Sequence, residues 1–146
     1  MNTLFVRFFM VIALAFAMSA AMNAKAGPLA ESEAQKVQQV IMEQFAAFAQ
    51  DDADGAFQTA TPSVREAIGN SGRFLAMVRG TYPMVYHPAS VTFHKPETDQ
   101  GRVLQLMEIT DQESKSWLAL FALEQQPDSS WRISGCVVSE NRWKAA

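Results

Sequence analysis

The chain has 146 residues, 49% apolar and 18% charged, with one cysteine, two histidines and a formal net charge of −3. That length fits one domain, and the apolar content excludes a disordered chain. One cysteine excludes an intrachain disulfide framework, and an acidic pI near 5.3 without a basic run argues against nucleic acid as a partner.

The first 26 residues differ in composition from the rest. Arg7 precedes an apolar run from Phe8 to Met18, and Ala24-Lys25-Ala26 follows as a small-x-small tripeptide. This pattern is that of a secretory signal peptide cleaved after Ala26, since the run is shorter than the ~20 residues of a membrane-spanning helix. The expected organisation is a leader over 1–26 and one α+β domain over 27–146, placed in the periplasm or secreted. An uncleaved N-terminal membrane anchor is the alternative; after cleavage no stable membrane insertion is expected. Residues 27–146 keep 10 of the 12 basic and all 15 acidic side chains, so the formal charge becomes −5. In an oxidising compartment Cys136 pairs between chains or hides, and its neighbours Val137 and Val138 favour hiding.

Ser32–Gln50 reads as an amphipathic helix, with Val37, Val40, Ile41, Phe45 and Phe48 on one stripe. Ser32 and Gln35 form a capping-box pattern at its start. Asp51-Asp52 closes that helix and caps the next, whose Ala53, Ala56 and Phe57 look inward. Thr61-Pro62 starts a short helix that Gly69 ends. Ser71 opens a last helix carrying Phe74, Leu75, Met77 and Val78, with Gly80 as its stop.

Beyond Tyr82-Pro83 the pattern turns to β-branched and aromatic runs. Strands are expected over Met84–His94, Arg102–Thr110, Ser116–Gln125 and Trp131–Ser139, joined by turns. Helices followed by an antiparallel meander define an α+β arrangement. In Ser116–Gln125 both faces are apolar: Trp117, Ala119, Phe121 and Leu123 alternate with Leu118, Leu120 and Ala122. A sheet with one wet face should alternate apolar with polar, so each side needs a cover. The helices supply one. A symmetric homodimer through the sheet is the economical second cover, unless the first strand or the segment around Trp143 folds across.

The run from Val37 to Cys136 resembles the bacterial domain-of-unknown-function family 4864, within the nuclear transport factor two-like superfamily. The residues that carry the likeness are Asp52-Ala53, Ala56-Phe57, Thr61-Pro62, Phe74, Met77-Val78-Arg79, Tyr82-Pro83, Val85-Tyr86, Trp117, Trp131-Arg132-Ile133 and Gly135-Cys136. The chain departs at Asp128-Ser129, where the family has Asp-Gly, which leaves the turn type open. The resemblance implies helices packed into the concave face of a strongly curved sheet, forming a cone. It carries no activity, because superfamily members include ketosteroid-isomerase-like enzymes, cyclases, transport factors and plain binding modules.

No nucleophile elbow, phosphate-cradling loop or helical zinc pair is present, and no cofactor or metal is expected. His87 and His94 lie an odd number of residues apart on the expected first strand and should face opposite sides. A ketosteroid-isomerase-type proton shuttle would need a carboxylate in an apolar cavity, for which Glu108 and Asp52 are the candidates. Asp52 has the plainer role of a helix cap, and Glu108 that of a solvent-facing or paired side chain. The resemblance implies that Tyr82, Tyr86, Trp117 and Phe57 line the cone, with Arg79 and His87 as polar handles. Their plainer role is core packing. The expected function is a non-catalytic module binding a small apolar or carbonyl-bearing molecule, or a partner protein. The alternative is a small cofactor-free isomerase, cyclase or hydrolase using a pocket carboxylate.

Overall fold

The computed structural model describes residues 7–8 and 29–143. The expected leader and its junction at Ala26 lie outside the described residues, except for strand β1 (Arg7–Phe8), which pairs antiparallel with Val137–Val138.

Helix α1 (Glu31–Ala49) buries the predicted stripe of Val37, Val40, Ile41, Phe45 and Phe48. The capping box at Ser32 does not form. Ala30 is the N-cap, its carbonyl taking the amides of Glu33 and Ala34 at 3.0 and 2.9 Å, and Glu31 and Glu33 sit in the first turn, where acidic groups favour the helix dipole. Helix α2 (Ala53–Gln58) is capped as expected: Asp52 Oδ1 accepts from Gly55 N at 3.0 Å. A Cβ on Gly55 would collide with the Asp52 carboxylate, so this cap requires glycine there.

Helix α3 (Pro62–Ile68) starts on Thr61, whose Oγ1 accepts from Val64 N at 3.2 Å, and ends at Gly69 with φ +109°. Helix α4 (Ser71–Thr81) opens at Ser71 as expected, capped by Asn70, whose Oδ1 accepts from Arg73 N at 2.8 Å. Gly80 does not stop α4, because a helix interior tolerates glycine at modest cost. It ends before Pro83, which disfavours helical geometry in the residue preceding it.

The first expected strand needs correction. Met84–Tyr86 belongs to a short helix α5 (Pro83–Tyr86), started by Pro83, in which Met84, Val85 and Tyr86 are all buried. Three successive buried side chains suit a helical turn wedged into the core better than a strand with one wet face. Extended structure begins at β2 (Ser90–Phe93) and resumes in β3 (Glu97–Asp99). Both pair with β4 (Arg102–Thr110), followed by β5 (Ser116–Gln125) and β6 (Trp131–Glu140). The sheet is antiparallel, ordered β1-β6-β5-β4-β2 with β3 also on β4.

Pro96 lies in the break between β2 and β3, and a buried glutamine bridges the gap. Gln105 Nε2 donates to the carbonyls of His94 and Leu106 at 2.6 and 2.9 Å, while its Oε1 accepts from Gln38 of α1 at 3.0 Å. The β3–β4 turn is Gln100-Gly101, both at positive φ, as a two-residue hairpin requires. The β4–β5 and β5–β6 turns are a second kind. In each a type I turn is followed by a left-handed residue, Ser114 (φ 67°) or Ser129 (φ 74°).

The helices cover one face of the sheet. Trp117, Ala119, Phe121 and Leu123 of β5 are buried there beside Val103, Met107 and Ile109 of β4. On β6 the inward residues are Trp131, Ile133, Cys136 and Val138. Their spacing changes parity because Ala122 faces Gly135 while Leu123 faces Ile133, leaving Ser134 as a bulge. Cys136 is thereby buried, and desolvation pushes its thiol pKa far above the ordinary value. The opposite face presents Leu104, Leu106, Leu118, Leu120, Ala122 and Val137, of which Leu120 is 38% exposed.

Candidate functional site

Of the six expected cone residues, four form one connected run. Phe57 contacts Phe74 (5.8 Å between ring centroids), Phe74 contacts Phe48 (5.5 Å), and Phe48 contacts Tyr86 (5.9 Å). His87 meets the Tyr86 ring edge-on at 4.6 Å. Arg79 Nη2 donates to Tyr86 Oη at 3.3 Å, and its guanidinium lies 5.4 Å from that ring's centre and 3.6 Å from Asp51. Tyr82 is buried between α4 and α5, its carbonyl taking the amides of Val85 and Tyr86.

Trp117 has other partners. Its Nε1 donates to Asp111 Oδ2 at 2.9 Å, and Lys115 Nζ lies 4.8 Å from the indole while pairing with Glu140 at 3.0 Å. Burial pulls the Asp111 carboxyl upward. Hydrogen bonds from the Trp117 indole and from the Lys115 and Glu113 amides outweigh it and hold the group below its usual pKa.

Tyr82, Tyr86 and Trp117 keep only 4%, 5% and 9% of their surface accessible to water, a value that also counts the walls of any roomy cavity. They are core residues. His87 is not on a strand; it follows α5, and its carbonyl accepts from Gln112 Nε2 at 3.2 Å.

The two carboxylate candidates also have plain surroundings. Asp52 caps α2 in solvent. Glu108 lies on the outer sheet face, opposite Leu118, with Oε2 3.1 Å from His94 Nε2. Among the described residues the core holds no carboxylate. Its buried polar side chains are Gln44, Thr59, Thr61, Gln105 and Asn141, none of which ionises as an acid.

A cleft of about 340 Å³ opens between α1, α2 and β6. One wall is the helical stripe Glu43, Ala46, Ala47 and Gln50; the other is Asp52, Gly55, Gln58 and Thr59; Arg132 of β6 closes the end. None of the six expected site residues lines it. Sequence reasoning named Asp52 alone of the lining residues as a candidate and missed the cleft, because the others come from two helices and a strand whose approach no local pattern displays. The available signal was the spacing: two alanines flanked by Glu43 and Gln50 on one stripe, and a glycine three residues after a cap.

Helices on one face of an antiparallel sheet, in this chain order, define a protein of the nuclear transport factor two-like fold. The chain belongs to the family described as Domain of unknown function (DUF4864), whose model matches residues 30–146. Among solved structures it is similar to Aln2 from a Streptomyces species, with 14% identity, a TM-score of 0.51, and 80% of this chain and 96% of that one covered. It is also similar to an NTF-2 like protein of unknown function from Burkholderia xenovorans (12% identity, TM-score 0.47, 73% and 85% covered). A putative dehydratase from the NTF2-like family from Streptomyces avermitilis gives 12% identity and a TM-score of 0.47, with 73% and 95% covered. Among curated proteins the chain has no match.

Proposed function

We propose that this chain is an exported, non-catalytic interaction module that works as two copies joined through the outer face of the sheet. The observation that carries this reading is a cross-strand row, Leu106 opposite Leu120 and Leu120 opposite Val137. Leu104, Ala122 and Leu118 extend it on the same face, while the helices cover the other. Trp143 is 88% exposed, so its ring packs onto neither face. A symmetric pair buries such a patch at no cost in new sequence. The filled aromatic core supports interaction over an apolar ligand held among Tyr82, Tyr86 and Trp117. The glutamines at the inward polar positions support a role without proton transfer, since an amide has no carboxyl proton to shuttle.

Export is part of the same proposal. The apolar run before Ala24-Lys25-Ala26 supports cleavage after Ala26 and a periplasmic or secreted location. Intact mass of the protein from a periplasmic extract should begin at Gly27; a full-length species held in the membrane fraction would mean an anchor.

The pairing is tested by sedimentation velocity of residues 27–146 at tens of micromolar. The native chain should sediment as a dimer, and Leu120→Lys as a monomer with an unchanged urea midpoint. A native chain that sediments as a monomer removes the reading.

A further inference from the structure

We propose that the cleft between α1, α2 and β6 binds a free α-amino acid with an aliphatic side chain. The inference is independent of the sheet-face pairing.

Each wall bears an acidic group, Glu43 on one and Asp52 on the other, and the end of the cleft bears the basic Arg132. Among the described residues neither Glu43 nor Arg132 has an ion-pair partner within 4.0 Å, although both line the same cleft of about 340 Å³. That volume lies within the range of small-molecule sites. Arg132 commits one nitrogen, Nη1, to the Trp131 carbonyl at 2.6 Å, which orients the guanidinium and leaves other N–H groups for a carboxylate. Asp52 is similarly half-used, with Oδ1 on the Gly55 amide. A ligand carrying both an ammonium and a carboxylate satisfies the acidic walls and the basic end at once. Between them Ala46 and Ala47 present only methyl groups, which leaves room for an aliphatic group.

A separate observation points to a missing donor beside this cleft. Gln44 is 1% exposed, and its Nε2 donates to the hydroxyl of Thr59, a cleft residue, at 2.9 Å. The Thr59 hydroxyl in turn donates to the Ala56 carbonyl at 2.6 Å. Gln44 Oε1 has no hydrogen-bond partner. Buried acceptors of this kind are rare, and the Gln44 side chain stands one hydrogen bond behind the cleft wall at Thr59.

The probe is L-leucine, titrated into the isotope-labelled protein as isolated and followed by amide chemical shifts. Its half-molecules, 3-methylbutylamine and 4-methylpentanoate, are titrated alongside. L-leucine should shift the Gly55 and Thr59 amides saturably, with each half-molecule weaker by about tenfold or more, as expected when a charge-assisted contact is lost. Arg132→Gln and Glu43→Gln should each weaken L-leucine by a similar factor. Ala46→Leu, at an exposed helical position, should abolish the saturable shifts and leave the urea midpoint in place. Shifts that stay linear in L-leucine, half-molecules that bind as tightly as the whole, or charge variants that bind as the native chain does would each overturn the proposal.

Discussion

Trp131 donates its indole N–H to Glu33 Oε1 at 2.8 Å, tying the first residue of the last strand to the first turn of the first helix across 98 positions. The ring itself is 5% exposed. One residue thus closes the helix layer onto the sheet by burial and anchors it by a charge-assisted hydrogen bond. Trp131→Ala should lower stability by about 3–5 kcal/mol, the usual range for truncating a buried aromatic. Urea unfolding followed by circular dichroism measures it; a midpoint within error of the native one would show that the ring does not close the core.

The same contact makes stability depend on acid. The Trp131 hydrogen bond, helped by Lys36, holds the Glu33 carboxyl below its usual pKa of 4.5 despite an opposing contribution from burial. A carboxyl depressed in the folded state stabilises above its unfolded pKa, and that contribution fades as pH falls through the folded value. Glu33→Gln keeps an acceptor oxygen but cannot titrate. The stability gap between native and Glu33→Gln proteins should therefore be constant near neutrality and shrink below pH 4.5. Urea midpoints across that range test it, and a gap that widens on acidification contradicts the assignment.

Helix caps offer a paired comparison. Thr61 caps α3 through its hydroxyl, whereas Ser32 lies inside α1 and caps nothing. Thr61→Ala should cost about 1 kcal/mol. Ser32→Ala should change stability by less than about 0.5 kcal/mol, as surface substitutions usually do. Equal losses at both sites would indicate that the capping box forms in solution after all.

Ser129 stands at φ 74°, in the left-handed region that favours glycine. A side chain in left-handed geometry costs roughly 1–2 kcal/mol, and glycine returns part of that gain through a freer unfolded chain. Ser129→Gly should raise stability by about 0.5–1 kcal/mol, read from thermal unfolding. A lower midpoint would mean that Ser129 makes interactions worth more than its strain.

Gln44 carries the unpartnered buried oxygen. Gln44→Met keeps the length of the side chain, removes the orphan acceptor and gives up one hydrogen bond to Thr59. An unsatisfied buried group costs about 1–3 kcal/mol and a neutral hydrogen bond returns about 0.5–1.5 kcal/mol, so Gln44→Met should gain about 1 kcal/mol. A clear loss on urea unfolding would show that the oxygen is satisfied by bound water in the native protein.

Local signals determined much of this protein from the sequence alone. The α1 stripe, the caps at Asp52 and Thr61, the stop at Gly69 and the turn between β5 and β6 depend on residues at most a few positions apart. Caps and helical periodicity act over that range, so the sequence displays them directly. The buried Cys136 was also legible, because Val137 and Val138 follow it. Tertiary pairing decided the rest. The strand expected from Met84 became a helix, since Pro83 starts one and Met84–Tyr86 is buried on every side. The inward set on β6 changes parity at Ser134, because a bulge exists only relative to the partner strand. The cleft joins Glu43, Gly55 and Arg132 from three elements, and its volume comes from what their side chains leave unfilled. Composition displays the side chains a protein has; only the packed fold determines the space between them, because that space depends on contacts among residues distant in the chain.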